Sequence, residues 1–346
     1  MKNSSVLISF LSILFFVSCK KEIDNGIFSS GGILVVNEGL FQTGTGELSW
    51  IDAKTEQVQQ NVFSLSNDGL LLGNVANSAA ISSNLIFVAV NNAQRIVAAD
   101  RSSFKYQFQI VDISQPRYML VPNDSILIVT AWGDGFSGSL SKVNLIQRGV
   151  EKTISGLKGP EEAAVWRNEL LVPSSGGFGT HNMIYRVDLE NFNIVDSILV
   201  GDRPVKIVVV DNIPFLICSG KFSFLDPTLN TPGGLYRVST NGADLLTELP
   251  NGTRGLCHLK EFESLFSFEG NTIYKYHLPT QTLSSFSSPA TTSYALHEVT
   301  WNGKQYLAVC DAKDYISAGE IFLIDGNGNL VRRWNTGMIP AYTINL

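Results

Sequence analysis

The residues best suited to chemistry in this chain are few and scattered. Glu161, Glu162 and Glu298 are carboxylates near the starts of strand-like runs. Converging with asparagine oxygens, such groups hold a divalent cation for metal-assisted hydrolysis. His258 and His277 lie inside strand-like runs and read as structural. His181 stands in a long glycine-rich loop, where a neutral imidazole can ligate a metal or bond a solvent-facing group. Cys218, Cys257 and Cys310 sit in apolar runs at spacings that fit no zinc motif. They read as buried small hydrophobes, with one disulfide among them left open. No HExxH, phosphate loop or G-x-S-x-G occurs. Asp325-Gly326-Asn327-Gly328-Asn329 lacks the distant glutamate of a calcium loop and reads as a tight turn. The pattern points away from catalysis and from a resident metal or cofactor. A metal-dependent lactonase-type activity built on the three glutamates is kept as an alternative.

Cys19 carries a different chemistry, acylation of its thiol. A single Lys2 precedes a short apolar run, Val6 to Val17, and Ser18-Cys19 follows. This order describes a secretory signal whose run is too short to span a bilayer comfortably. Phe16-Val17-Ser18-Cys19 resembles the bacterial lipobox, which implies removal of residues 1–18 and a diacylglycerol on Cys19. Cys19-Lys20-Lys21-Glu22-Ile23-Asp24 resembles the charged export signal of Bacteroidetes surface lipoproteins, which implies a chain on the outer membrane facing the medium. Residues 19–31 read as a lipidated tether, and residues 32–346 as the folded domain.

That domain must position whatever site exists. The chain of 346 residues has a net charge of −6, which argues against nucleic acid as a partner. Almost nothing in it has helical periodicity. Short β-branched and aromatic runs alternate with Gly, Asn, Asp and Pro, and their order repeats every 40–50 residues or so. A polar turn leads to an apolar strand, as in Asn123-Asp124-Ser125 before Ile126. A loop follows, then an apolar-x-apolar-x-Asp strand such as Ile184-Tyr185-Arg186-Val187-Asp188. The expected fold is all-β, a seven-bladed β-propeller of four-stranded blades. The last segment, Ile339 to Leu346, reads as the inner strand of blade 1, whose next strand is Ile33–Asn37. The carboxyl terminus would therefore close the ring.

Naming each blade's strands a to d from the axis outward, the a–b and c–d turns share one face and the b–c and d–a loops the other. The b–c loops are long and mix aromatics with glycine. Loops of that length in a compact domain usually carry function. The candidate ligand-binding residues are Phe41, Trp132, Asp134, Phe136, Phe178, His181, Phe222 and Tyr315 on those loops. Asn77, Asn91, Arg117, Arg203 and Arg254 join them around the inner mouth, with Glu161 and His297 on the same rim. About half of the aromatics are expected only to pin their own loops.

Three stretches are recognisable beyond the repeat: Asp68 to Ser78, Phe87 to Ile96, and Pro116-Arg117-Tyr118. With the lipobox they resemble the YncE-like propeller lipoproteins of Bacteroidetes, which include the DUF5074-type proteins and the BtuG-type surface lipoproteins. The resemblance implies capture of a small nutrient ligand, most plausibly a corrinoid (vitamin B12), and its transfer to a TonB-dependent outer-membrane transporter. Within it the motif residues are Asn91, Asn92, Pro116 and Arg117. A glycan- or protein-binding scaffold is the alternative.

Overall fold

The computed structural model describes Phe28 and residues 31–346. The expected signal segment, Cys19 and the charged stretch after it lie outside the described residues. Seven four-stranded antiparallel sheets form a β-propeller. Blade 1 consists of Pro340–Asn345 (a), Gly32–Asn37 (b), Glu47–Asp52 (c) and Val58–Gln59 (d). Blades 2 to 7 follow in chain order, their inner strands being Ala76–Ile81, Pro116–Asn123, Ala164–Trp166, Pro204–Val210, Arg254–Leu259 and Ser293–Trp301.

The period-2 pattern explains why the blades stack. In strand b of blade 1, Ile33 and Val35 enter the cluster shared with blade 7, and Leu34 and Val36 enter the one shared with blade 2. Both faces of such a strand are buried, so it reads as a continuous apolar run. Seven clusters of this kind fill the seven gaps between neighbouring blades. The strand-ending Asp residues act as turn caps. Asp52 accepts from the backbone N–H of Lys54 and Thr55 at 2.7 and 2.8 Å, and Asp325 does the same for Asn327 and Asn329.

Closure follows the expected scheme. Strand a of blade 1 pairs antiparallel with strand b, Val35 opposite Thr343 and Leu34 opposite Ile344. Two elements were not legible in the sequence. A short helix, Val62–Ser66, bridges blades 1 and 2, and buried Glu47 holds its start by accepting from the N–H of Phe63 and Ser64. Phe28, inside the expected tether, is fully buried against Phe104 and Trp50, with ring centroids 4.6 and 6.1 Å away. The packed part of the chain therefore reaches back to Phe28.

Cys218, Cys257 and Cys310 are free thiols buried in these clusters. Burial pushes all three up, Cys257 to about 12. A thiol-reactive maleimide is expected to leave them unlabelled in the native protein and to label three sites after denaturation. Labelling under native conditions would show that the blades open.

Among the described residues no helix is long and apolar enough to cross a membrane.

Candidate functional site at the loop face

The axial mouth is built by one local device used seven times. At the upper end of every inner strand the register with strand b shifts by one residue. Each shift is a β-bulge, which frees a residue from the ladder and re-aims its side chain. Asn77, Arg117, Glu161 and Tyr294 stand at these bulges. In five blades the residue just before the first pair with strand b (the Pro160–Ser174 bridge in blade 4) is left-handed: Val75, Gln115, Gly159, Arg203 and Ile339, with φ from 50° to 59°. The carbonyl of each accepts the N–H of the first b–c loop residue at 2.8 to 3.1 Å, Asn91 to Val75 and Trp132 to Gln115 among them. For branched Val75 and Ile339 this conformation is strained.

Arg117 is the centre of the mouth. Its guanidinium lies 4.1 Å over the Trp132 ring and 5.4 Å from the Tyr118 ring. Its Nη2 stands 3.8 Å from Glu161 Oε2. Glu161 accepts the Ser175 hydroxyl at 2.6 Å. Across the axis both oxygens of Glu38 lie 3.0 Å from the Tyr294 hydroxyl. Burial raises the Glu161 and Glu38 carboxyls above the usual range, against the lowering pull of Arg117. One residue along, Glu162 turns away and pairs with Lys206, while the Tyr342 hydroxyl donates to it at 3.2 Å. Below lies a channel of about 560 Å³ along the inner strands of blades 5, 6, 7 and 1, lined by Lys206, Val210, Cys257, His297, Glu298 and Tyr342 among others.

The long loops all crowd the mouth side. Trp132 and Phe178 meet edge to face at 5.7 Å, and Phe136 meets Phe178 at 5.8 Å. Phe222 packs on Phe224 at 4.6 Å and Tyr315 on Tyr294 at 6.0 Å. Phe41, Phe136, Phe178, Phe222, Phe224 and Tyr315 nevertheless remain exposed, as do Leu225 and Ile316 beside them. Exposed large apolar groups on other parts of the surface stand mostly on outer strands and turns. Exposed apolar clusters gathered on one side in this way mark a candidate interaction surface.

The other candidate residues are occupied within the protein. Asn77 and Asn91 donate to the carbonyls of Arg117 and Pro116, at 2.8 and 3.0 Å, and so tie blade 2 to blade 3. Asp134 caps its own loop through the N–H of Phe136 and Ser137. His181 shares a hydrogen bond with the Tyr185 hydroxyl at 3.2 Å. Arg203 donates to the Gly179 carbonyl at 2.8 Å. Arg254 donates to the Ser293 carbonyl at 3.2 Å and lies over Phe268. Glu298 takes a hydrogen bond from Gln305, apart from Glu161 and Glu162. Among the described residues no group of three or more His, Cys, Asp or Glu side chains converges as a metal ion requires.

Glu38, Tyr118, Tyr294, Lys206 and Tyr342 were not anticipated as site residues, whereas Glu162 was, as a candidate metal ligand. These five come from four blades, and only the ring brings them together. The repeated position after each strand-opening Pro was the signal available for the bulge.

His297 lines the channel with its Nδ1 buried and unpartnered. Desolvation, and secondarily Lys206, lowers its pKa from 6.5 to about 3. Between those values the unfolded chain binds a proton that the folded one refuses, so stability falls as pH drops through this window. The raised Glu38 and Glu161 act oppositely, gaining stability as pH falls toward 4.5. The His297 contribution has a limiting slope of ~1.4 kcal/mol per pH unit, the value for one proton bound by the unfolded chain alone. His297→Gln should flatten the acid limb between pH 6.5 and 3 in denaturant titrations. An unchanged slope would refute the assignment.

Known structures share this architecture. A protein of unknown function from Desulfotomaculum acetoxidans superposes with a TM-score of 0.66 at 13% identity, covering 91% of this chain and 99% of its own. A provisional 6-phosphogluconolactonase from Bacteroides fragilis gives 0.66 at 12%, with 93% and 100% covered. A quinoprotein alcohol dehydrogenase-like protein from Bacteroides thetaiotaomicron gives 0.65 at 11%, with 92% and 78% covered. At these identities the likeness shows the fold alone. No curated protein matches the chain. The family described as a domain of unknown function (DUF5074) matches residues 31–212, more than half of the sequence, and the chain belongs to that family.

Proposed function

We propose that this propeller is a non-catalytic binding protein whose b–c loop face captures a large, partly apolar nutrient, a corrinoid being the leading candidate, and presents it to a TonB-dependent outer-membrane transporter. The observation that carries the reading is the crowding of exposed aromatics onto one face around a polar mouth. Rigid rings supply contact area at low entropic cost, and the mouth supplies orienting polar groups. A lipid on Cys19 would hold this face near the transporter and raise the local ligand concentration.

Calorimetric and absorbance titration with cyanocobalamin tests it. Saturable binding is expected, weakened at least about tenfold in a Phe136→Ala, Phe178→Ala double variant, since anchoring aromatics commonly contribute above ~1 kcal/mol each. Absence of heat and of any spectral shift at high protein concentration removes the corrinoid.

A further inference from the structure

We propose that the Arg117 mouth recognises a neutral primary carboxamide on the ligand. The inference rests on the loop-face reading above and adds the chemical group that this face selects. A guanidinium carries five N–H donors. In Arg117 the Nε is buried and has no partner, and Glu161 Oε2, 3.8 Å from Nη2, stands beyond hydrogen-bonding range. The Arg117 side chain keeps 23% of its surface exposed, so a ligand entering the mouth can reach it. Trp132 lies against the face of the guanidinium at 4.1 Å, which fixes the plane and leaves the donor edge open. The Trp132 indole Nε1 is itself buried without a partner.

The charges around that edge decide what fits. Glu161 is almost fully buried on one side, and Glu38, held by Tyr294, acts on Arg117 from across the mouth. An anionic head group on Arg117 would place a third negative charge beside two carboxylates already withdrawn from water. A cationic group suited to the carboxylates would meet the guanidinium. A hydroxyl can bridge the 3.8 Å between Arg117 and Glu161, but it brings a single donor and no separate carbonyl acceptor. A primary carboxamide separates the two roles. Its carbonyl accepts from the guanidinium edge, its NH₂ donates to a carboxylate, and it adds no charge.

Three 3-substituted pyridines test this on the full chain at pH 7: neutral nicotinamide, its anionic isostere nicotinate and cationic 3-(aminomethyl)pyridine. The readout is the Trp132 indole N–H resonance, assigned with Trp132→Phe. Nicotinamide should shift it saturably, with the two charged pyridines at least tenfold weaker. Arg117→Gln should abolish the nicotinamide shift, with resonances elsewhere unchanged as the folding control. Glu161→Gln should relax discrimination against nicotinate, an effect that loss of packing would not produce. Nicotinate binding as well as nicotinamide, an unaffected Arg117→Gln variant, or no shift with nicotinamide would each overturn the inference. Cyanocobalamin run alongside separates the two proposals. Its silence with nicotinamide bound removes the corrinoid and leaves the carboxamide site. Its binding, indifferent to Arg117→Gln and with a flat pyridine series, removes the carboxamide site alone.

Discussion

Deleting residues 339–346 is expected to abolish the cooperative thermal transition of this propeller. The segment supplies the whole inner strand of blade 1, paired along Ile33 to Asn37. It also carries Tyr342, buried against the blade 1–2 cluster, and Ile344, which packs on it. Burying side chains of this size contributes ~1.5–3 kcal/mol each, and each ladder hydrogen bond about 1 more. Losing them removes on the order of 5 kcal/mol or more, comparable to the whole stability of many domains. The deletion also leaves Ile33–Asn37 as an open edge, which invites pairing between molecules. Circular dichroism melts should lose their sharp step, and size-exclusion chromatography should show higher oligomers. A synthetic peptide of residues 338–346, added in excess, should partly restore the transition. A deletion variant that melts like the parent would mean that the strand does not hold the ring.

The second large effect falls on Gly159, where the loops of blades 3 and 4 touch through bare backbone. Gly159 has φ +58°, and a Cβ there would lie 1.9 Å from the Gly177 nitrogen. A Cβ on Gly177 would in turn lie 2.2 Å from the Gly135 carbonyl oxygen. Neither neighbour is a side chain that could swing aside. Gly159→Ala combines a left-handed penalty with overpacking, together about 3 kcal/mol or more. The displaced blade 4 loop carries Phe178, which packs on Trp132, and Trp132 lies over Arg117. The variant should therefore melt several degrees lower and also lose ligand affinity. Gly149→Ala, in open space, is the control. Equal melting of the two variants would refute the close contact.

Much of the architecture was legible because strand chemistry is local. Asp52, Asp100, Asp188 and Asp325 announce their turns by side-chain capping, and alternation along Ile33–Val36 fixes which residue faces which neighbouring blade. Blade number and ring closure follow from those signals. The site was legible only at the resolution of a face. Asn77, Asn91 and Asp134 are polar loop-side residues by type, yet each spends its hydrogen bonds on nearby backbone, which no composition reveals. Glu38 and Tyr294 stand 256 positions apart in the sequence and meet only because ring closure sets blade 1 beside blade 7. The one-residue register shift leaves only the opening Pro of four blades as a trace in the sequence. The short helix Val62–Ser66 owes its place to the distant Glu47 carboxylate rather than to its own propensity.

The register shift at the head of each inner strand has a consequence for how such a protein can change. A side chain carried there stands outside the pairing ladder, so where it is not bonded to a neighbouring blade, as Asn77 is, exchanging it alters the opening while strand pairing is kept. Seven such sockets, arranged in a circle, let the chemistry of the opening diverge largely one substitution at a time, except where a position such as Asn77 also bonds the next blade or Gly255 has no room for a side chain.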